Sequence, residues 1–148
     1  MAASYRHVAM VVPDLRAAEE YYRSVFDMEL IGREAPQPDG LWYTLPFDKD
    51  WDDAAAAGVT LAMVALRKDQ FVLALFQGEA APGQVVFVGL SMPADDIAGV
   101  RSRLPQGAPE GPPDWLEFTD PYGITWQLSK PGNEFRTSGD WAGRWLTL

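Results

Sequence analysis

The feature that most limits what this chain can fold into is a strand-then-helix pattern that occurs twice. Tyr5 to Val12 is an apolar, β-rich run closed by Pro13 and Asp14, after which Leu15, Ala18, Tyr22 and Val25 recur at helical spacing. Asp14 is the expected N-cap, because its carboxylate can accept the unpaired amides of a first helical turn. Val85 to Met92 is a second apolar run, closed by Pro93, and Asp95 or Asp96 opens a stretch with Ile97, Val100 and Leu104 at the same spacing. Setting Asp14-Leu15 on Asp96-Ile97 gives an offset of about 82 residues, so one supersecondary unit is used twice.

Hairpin signals follow each helix. In the first module they are Glu29 to Arg33, Val59 to Leu66 and Phe71 to Gln77, the last two joined by the polar turn Arg67-Lys68-Asp69-Gln70. In the second they are a weak strand near Gly107, then Trp115 to Thr119 and Ile124 to Ser129, joined by Asp120-Pro121-Tyr122-Gly123, whose Pro after Asp suits a type I turn. The expected organisation is a first βαβββ module over 1–78, a second over 84–131 and an aromatic C-terminal tail over 132–148, in one compact domain overall. The linker Gly78-Glu79-Ala80-Ala81-Pro82-Gly83 has the small and breaker residues of a boundary.

Residues 36–58 do not repeat. Leu41 to Phe47 reads as an extra strand and Trp51 to Ala57 as a short helix with Asp50 as its cap. The tail carries Phe135, Trp141 and Trp145 among Gly and Ser, and aromatic tails of this kind pack over a domain edge or a partner subunit more often than they form a ligand lid.

Composition removes several function classes. With 47% hydrophobic residues the chain can build a core, and a net charge of −9 repels phosphate backbones and anionic membrane surfaces, so nucleic acid and membrane are not expected partners. The absence of Cys excludes a disulfide frame, a thiolate nucleophile and a thiolate metal ligand. No basic segment followed by an apolar run opens the chain and no 18 uninterrupted apolar residues occur, which leads to the expectation of a cytoplasmic protein.

Strand alternation separates two faces. Val8, Met10 and Val12, Leu73 and Leu75, Val88, Leu90 and Met92, Leu116 and Phe118, and Ile124, Trp126 and Leu128 form one apolar set that must lie against the helices. The other set is mixed: His7, Ala9 and Val11, Val72, Ala74 and Phe76, Gly89 and Ser91, Trp115 and Glu117, Thr125 and Gln127. The expected fold is therefore α+β, two βαβββ modules forming a curved mixed sheet around a cleft with helices on the outer face, the cleft partly greasy and partly polar like a small-molecule site.

Arg6-His7-Val8-Ala9-Met10-Val11-Val12-Pro13-Asp14-Leu15, with Tyr21-Tyr22 and Phe26-Asp27-Met28-Glu29-Leu30 after it, resembles the opening module of the vicinal oxygen chelate superfamily. That superfamily includes glyoxalase I, extradiol dioxygenases, fosfomycin resistance proteins and bleomycin-binding proteins. Phe118 to Leu128 resembles its closing hairpin. The resemblance implies fold and not activity, since the fold hosts many functions.

The superfamily's metal-dependent members place one ligand on each of four central strands, typically two His and two Glu. Carried over by position, those ligands fall on His7, Ala74, Gly89 and Gln127. One imidazole and one neutral amide are a poor donor set for Zn²⁺, Ni²⁺, Mn²⁺ or Fe²⁺, so no metal and no other cofactor is expected.

His7, the sole His, is either a general base or a strand residue satisfied by a backbone carbonyl. Glu117 could hold a cationic ligand or be an ordinary edge carboxylate, and Gln127 must find partners if buried, whether a ligand, His7 or water. Trp42, Tyr43, Trp51 and Trp115 are candidate stacking walls, with Phe47 beside them in the insertion.

The expected function is metal-independent binding of a small organic molecule by a homodimer, in its most concrete form sequestration of a toxic aromatic or cationic compound. The alternative is a metal-dependent lyase, isomerase or dioxygenase of the same superfamily.

Overall fold

The alternating runs become strands in the computed structural model, which describes residues 3–79, 84–105, 107–119, 124–132 and 135–148. The order is β1 (Ser4–Val12), α1 (Leu15–Phe26), β2 (Glu29–Pro36), β3 (Trp42–Thr44), α2 (Trp51–Ala56), β4 (Met63–Lys68), β5 (Phe71–Gln77), β6 (Gln84–Ser91), α3 (Ala94–Arg103), β7 (Trp115–Thr119), β8 (Thr125–Ser129) and α4 (Ser138–Ala142). The fold is α+β, and none of the helices among the described residues is long and apolar enough to cross a membrane. Residues pack into two compact units, Met10–Gln84 with Arg136–Leu148 and Met1–Ala9 with Val85–Phe135.

In the first of these units the strands lie in the antiparallel order β3-β2-β4-β5. Val64 and Leu66 pair with Leu75 and Leu73, and these buried side chains form the face that receives α1. The helix starts where the sequence requires. Asp14 accepts the amide of Ala17 at 2.9 Å, while Gln77 from β5 accepts the amide of Leu15 at 3.0 Å and donates to the carbonyl of Pro13 at 2.6 Å. It stops at Asp27, in the left-handed region at φ 52°.

α1 also carries a buried carboxylate, Glu19, which accepts Arg33 Nε at 2.8 Å, Arg33 Nη2 at 2.6 Å, Arg23 at 3.1 Å and the indole N–H of Trp51 at 2.9 Å. Burial pushes the Glu19 pKa up, but the Arg33 hydrogen bonds and charge, with Trp51 and Arg23, hold it below the usual carboxylate value. In the insertion Asp50 caps α2 with a reciprocal bond from Asp53, and Ala54 joins Ala35, Leu45, Leu61 and Leu146 in a small core.

In the other unit β6 and β8 run parallel and β7 antiparallel to β8, so the pairing is mixed. Met92, Leu116 and Leu128 pack on Ile97 of α3, with Leu90, Val100, Leu104 and Phe118 around them, which is the helix-facing apolar set of the alternation. At roughly 25 cal/mol for each Å² of apolar surface removed from water, this contact fixes which face of the strands turns away from the helix.

Two expectations in this unit are corrected. α3 opens at Ala94, one residue before Asp95, with Pro93 at the cap position and no side-chain cap bond, so Asp95 and Asp96 instead lie in the first turn, where their charge suits the helix dipole. No strand forms at 107–112. Pro105, Pro109, Pro112 and Pro113 lack the amides a ladder needs, and Arg101 takes up carbonyls of the segment instead, donating to Pro109 at 2.6 Å, Pro112 at 2.9 Å and Trp115 at 2.6 Å. The turn Asp120-Pro121-Tyr122-Gly123 and the linker residues 80–83 lie outside the described residues.

Candidate functional site

Pairing of β6, β8 and β7 sets the geometry of a polar face. Gly89, Gln127 and Glu117 are partners in one row, and Ser91, Ser129 and Trp115 in the next, so all six point away from the α3 core. Gln127 donates its amide to Glu117 at 2.9 Å. Its partner is thus the neighbouring carboxylate.

His7 on β1 fills the gap that Gly89 leaves. A Cβ at Gly89 would lie 2.5 Å from Nδ1 and 2.6 Å from Cε1 of His7, so only glycine leaves room for the imidazole there. The ring is 2% exposed and meets Phe135 edge-on at 5.2 Å. Its Nδ1 is buried with no hydrogen-bond partner, not held by a backbone carbonyl. Burial first, and then the neighbouring charge of Arg6, lower its pKa to about 4, leaving a neutral imidazole at pH 7.

Arg6 was not among the residues that the sequence pointed to. Its guanidinium stacks over the Trp115 ring at 5.1 Å, and its Nε and Nη1 are buried without a hydrogen-bond partner, as is the hydroxyl of Ser129. Burial lowers the Arg6 pKa. The available signal was a charged residue inside an apolar strand, masked by its position beside the sole His.

The remaining candidates lie in the other unit. Ala74 is buried in a row with Ala65 and Gly32, on a face shared with Phe76, Met63, Glu34, Thr44 and Trp42. Trp42 meets Phe76 edge-on at 6.0 Å. The C-terminal tail covers this face: a Cβ on Gly32 would run into the Thr137 side chain, and Glu34 accepts the backbone amide of Ser138, its hydroxyl at 2.6 Å and the Thr44 hydroxyl at 2.9 Å.

Tyr43 and Trp51 are used elsewhere, Tyr43 donating to Asp39 at 2.6 Å and Trp51 to Glu19. The structure therefore brings His7, Gly89, Trp115, Glu117 and Gln127 into one unit but splits the insertion aromatics between two faces. On the helix side of β5, a cavity of about 680 Å³ lies among Met10, Tyr22, Met28, Phe71 and Leu73, where the alternation implies solid packing.

Residues 4–128 match the Glyoxalase/Bleomycin resistance protein/Dioxygenase superfamily. The chain belongs to that superfamily. Among solved structures it is similar to a hypothetical protein from Bacillus halodurans C-125, at 10% identity and a TM-score of 0.50 over 88% of this chain and 95% of that one. It is also similar to a methylmalonyl-CoA epimerase in complex with methylmalonyl-CoA and NH4+, at 15% identity and a TM-score of 0.50 over 88% of this chain and 95% of that one. A catechol 2,3-dioxygenase is 14% identical with a TM-score of 0.50, over 92% of this chain and 43% of that one. These likenesses show the fold. No curated protein matches the sequence.

The superfamily's divalent metal finds a poor fit in these residues. Gly89 and Ala74 offer no side-chain donor, the Gln127 amide is engaged with Glu117, and Arg6 sets a positive charge against His7 that would oppose a bound cation. Among the described residues no three His, Asp or Glu gather where they could hold an ion.

Proposed function

We propose that this superfamily member binds a small organic molecule without a metal ion, sequestering an aromatic compound rather than turning it over. The observation that carries this reading is the packing of the His7 ring into the space at Gly89 with the Arg6 guanidinium beside it. A position that would otherwise offer metal donors is filled by a neutral imidazole and flanked by a fixed cation, while Trp115 supplies a flat wall nearby. A metal-dependent lyase, isomerase or dioxygenase would need donors that this arrangement spends on packing.

The test is elemental analysis of purified protein with titration of its six Trp against a panel of aromatic compounds. Far less than one equivalent of metal and a saturable quench are expected. One equivalent of transition metal per chain, lost with His7→Ala, would overturn the reading, as would a panel that gives no saturable quench. A homodimer is proposed as the working form, supported by Phe47 and Trp141, 60% and 58% exposed. Sedimentation equilibrium would then return twice the 16.4 kDa chain mass, and a single-chain mass would overturn it.

A further inference from the structure

Among the described residues three arginines lie over tryptophan rings, and they differ in what else holds them. Arg144, 4.9 Å from the Trp141 centroid, donates Nε to the Trp42 carbonyl at 3.0 Å. Arg33 sits 5.6 Å from the Trp51 ring centroid and is held by both oxygens of Glu19, at 2.8 and 2.6 Å. Arg6 sits 5.1 Å from the Trp115 centroid, and no carboxylate among the described residues pairs with it. A ring face attracts a guanidinium but offers no lone pair to its N–H groups, so Nε and Nη1 of Arg6 stay unmatched. Leaving buried donors unmatched is costly, and for a cation more so.

Among the described residues, the other buried side-chain groups without partners share the neighbourhood. Ser129 is the cross-strand partner of Trp115 and projects from the same face, with its hydroxyl unpaired. His7, the residue after Arg6, has its Nδ1 unpaired and is neutral, so that one ring nitrogen can donate. Arg N–H groups, a hydroxyl and an imidazole N–H together form a donor set, and what matches them is an acceptor carrying negative charge. Glu117, on the adjacent row, is exposed and accepts the Gln127 amide.

Resting on the metal-free binding reading, we propose that Arg6, Ser129 and His7 recognise the carboxylate of an aromatic acid, whose ring lies along Trp115 and Phe135. The ligand thus completes for Arg6 what Glu19 supplies to Arg33. A cationic ligand is excluded from this site by the same charge.

Calorimetric titration with 2-naphthoate, 2-naphthamide and the 2-naphthylmethylammonium ion tests this. The carboxylate is expected to bind about tenfold or more tightly than the amide, the scale of a charge-assisted hydrogen bond. Arg6→Gln should bring naphthoate to the affinity of the amide, Arg6→Lys should restore part of the preference, and Ser129→Ala should weaken naphthoate alone. Because His7 is the sole His, its imidazole NMR signals report occupancy directly and should shift on adding naphthoate. If Arg6→Gln does not fold, the Arg6→Lys and Ser129→Ala proteins carry the comparison.

Equal binding of all three probes, or a carboxylate preference that survives both Arg6→Gln and Ser129→Ala, would overturn the carboxylate site and leave metal-free binding standing. Failure of all three probes to bind would remove both.

Discussion

The imidazole of His7 occupies the space into which a side chain on Gly89 would project, its Nδ1 2.5 Å from where a Cβ would be. Gly89→Ala must therefore displace the ring, at an overpacking cost of about 1–3 kcal/mol. In a His7→Ala background the same substitution should cost much less, because the space is then free. Urea unfolding of the two single variants and the double variant measures the coupling, and additive effects would show that the two residues do not compete for one volume.

Acid should weaken the fold through His7. An unfolded His takes up a proton near 6.5 and this buried one only near 4, so between those values the unfolded chain binds more protons. Stability falls as pH drops from about 6.5 toward 4 and levels below that, by about 3 kcal/mol in full. His7→Asn should flatten this part of the profile while the carboxylate-driven part remains. Melting temperatures of both proteins from pH 7 to pH 3.5 check it.

Glu34 anchors the tail. Its carboxylate accepts Thr44 and both the amide and hydroxyl of Ser138 in a buried setting. Glu34→Ala should lose about 3 kcal/mol, as buried donors are left unmatched, and should expose residues 137–148 to protease. Glu34→Gln keeps an acceptor oxygen and should cost less. Denaturation midpoints and the site of first proteolytic cleavage report the two effects.

Trp51→Phe keeps an aromatic ring, smaller than the indole, against Arg33 and removes the N–H that Glu19 accepts. The expected loss is about 1–2 kcal/mol, read as a shift in urea midpoint with unchanged slope.

Elements governed by neighbours in sequence were legible. β5 spans the Phe71–Gln77 run set by its alternation, and Asp14 and Asp50 cap the helices that follow them. Relationships between distant residues were not. Glu34 and Ser138 are 104 positions apart, and neither the alternation of β2 nor the Gly- and Ser-rich tail announces that they meet. The same holds for Arg6 and Trp115, which periodicity places on separate strands without saying that one side chain lies over the other. The weak strand expected near Gly107 does not form, because the surrounding prolines remove the donors and Arg101 takes the acceptors.

The tail also bears on association. β3 is the outermost strand of its unit, yet Thr44 donates its amide to Arg144 at 2.8 Å and accepts that of Leu146 at 2.7 Å, in a parallel bridge next to Trp145. A row of open peptide groups is what foreign strands add to, and fibre growth starts from such margins. By laying its own last residues there, the chain seals that margin, so clipping the terminus should make it prone to strand-by-strand self-association.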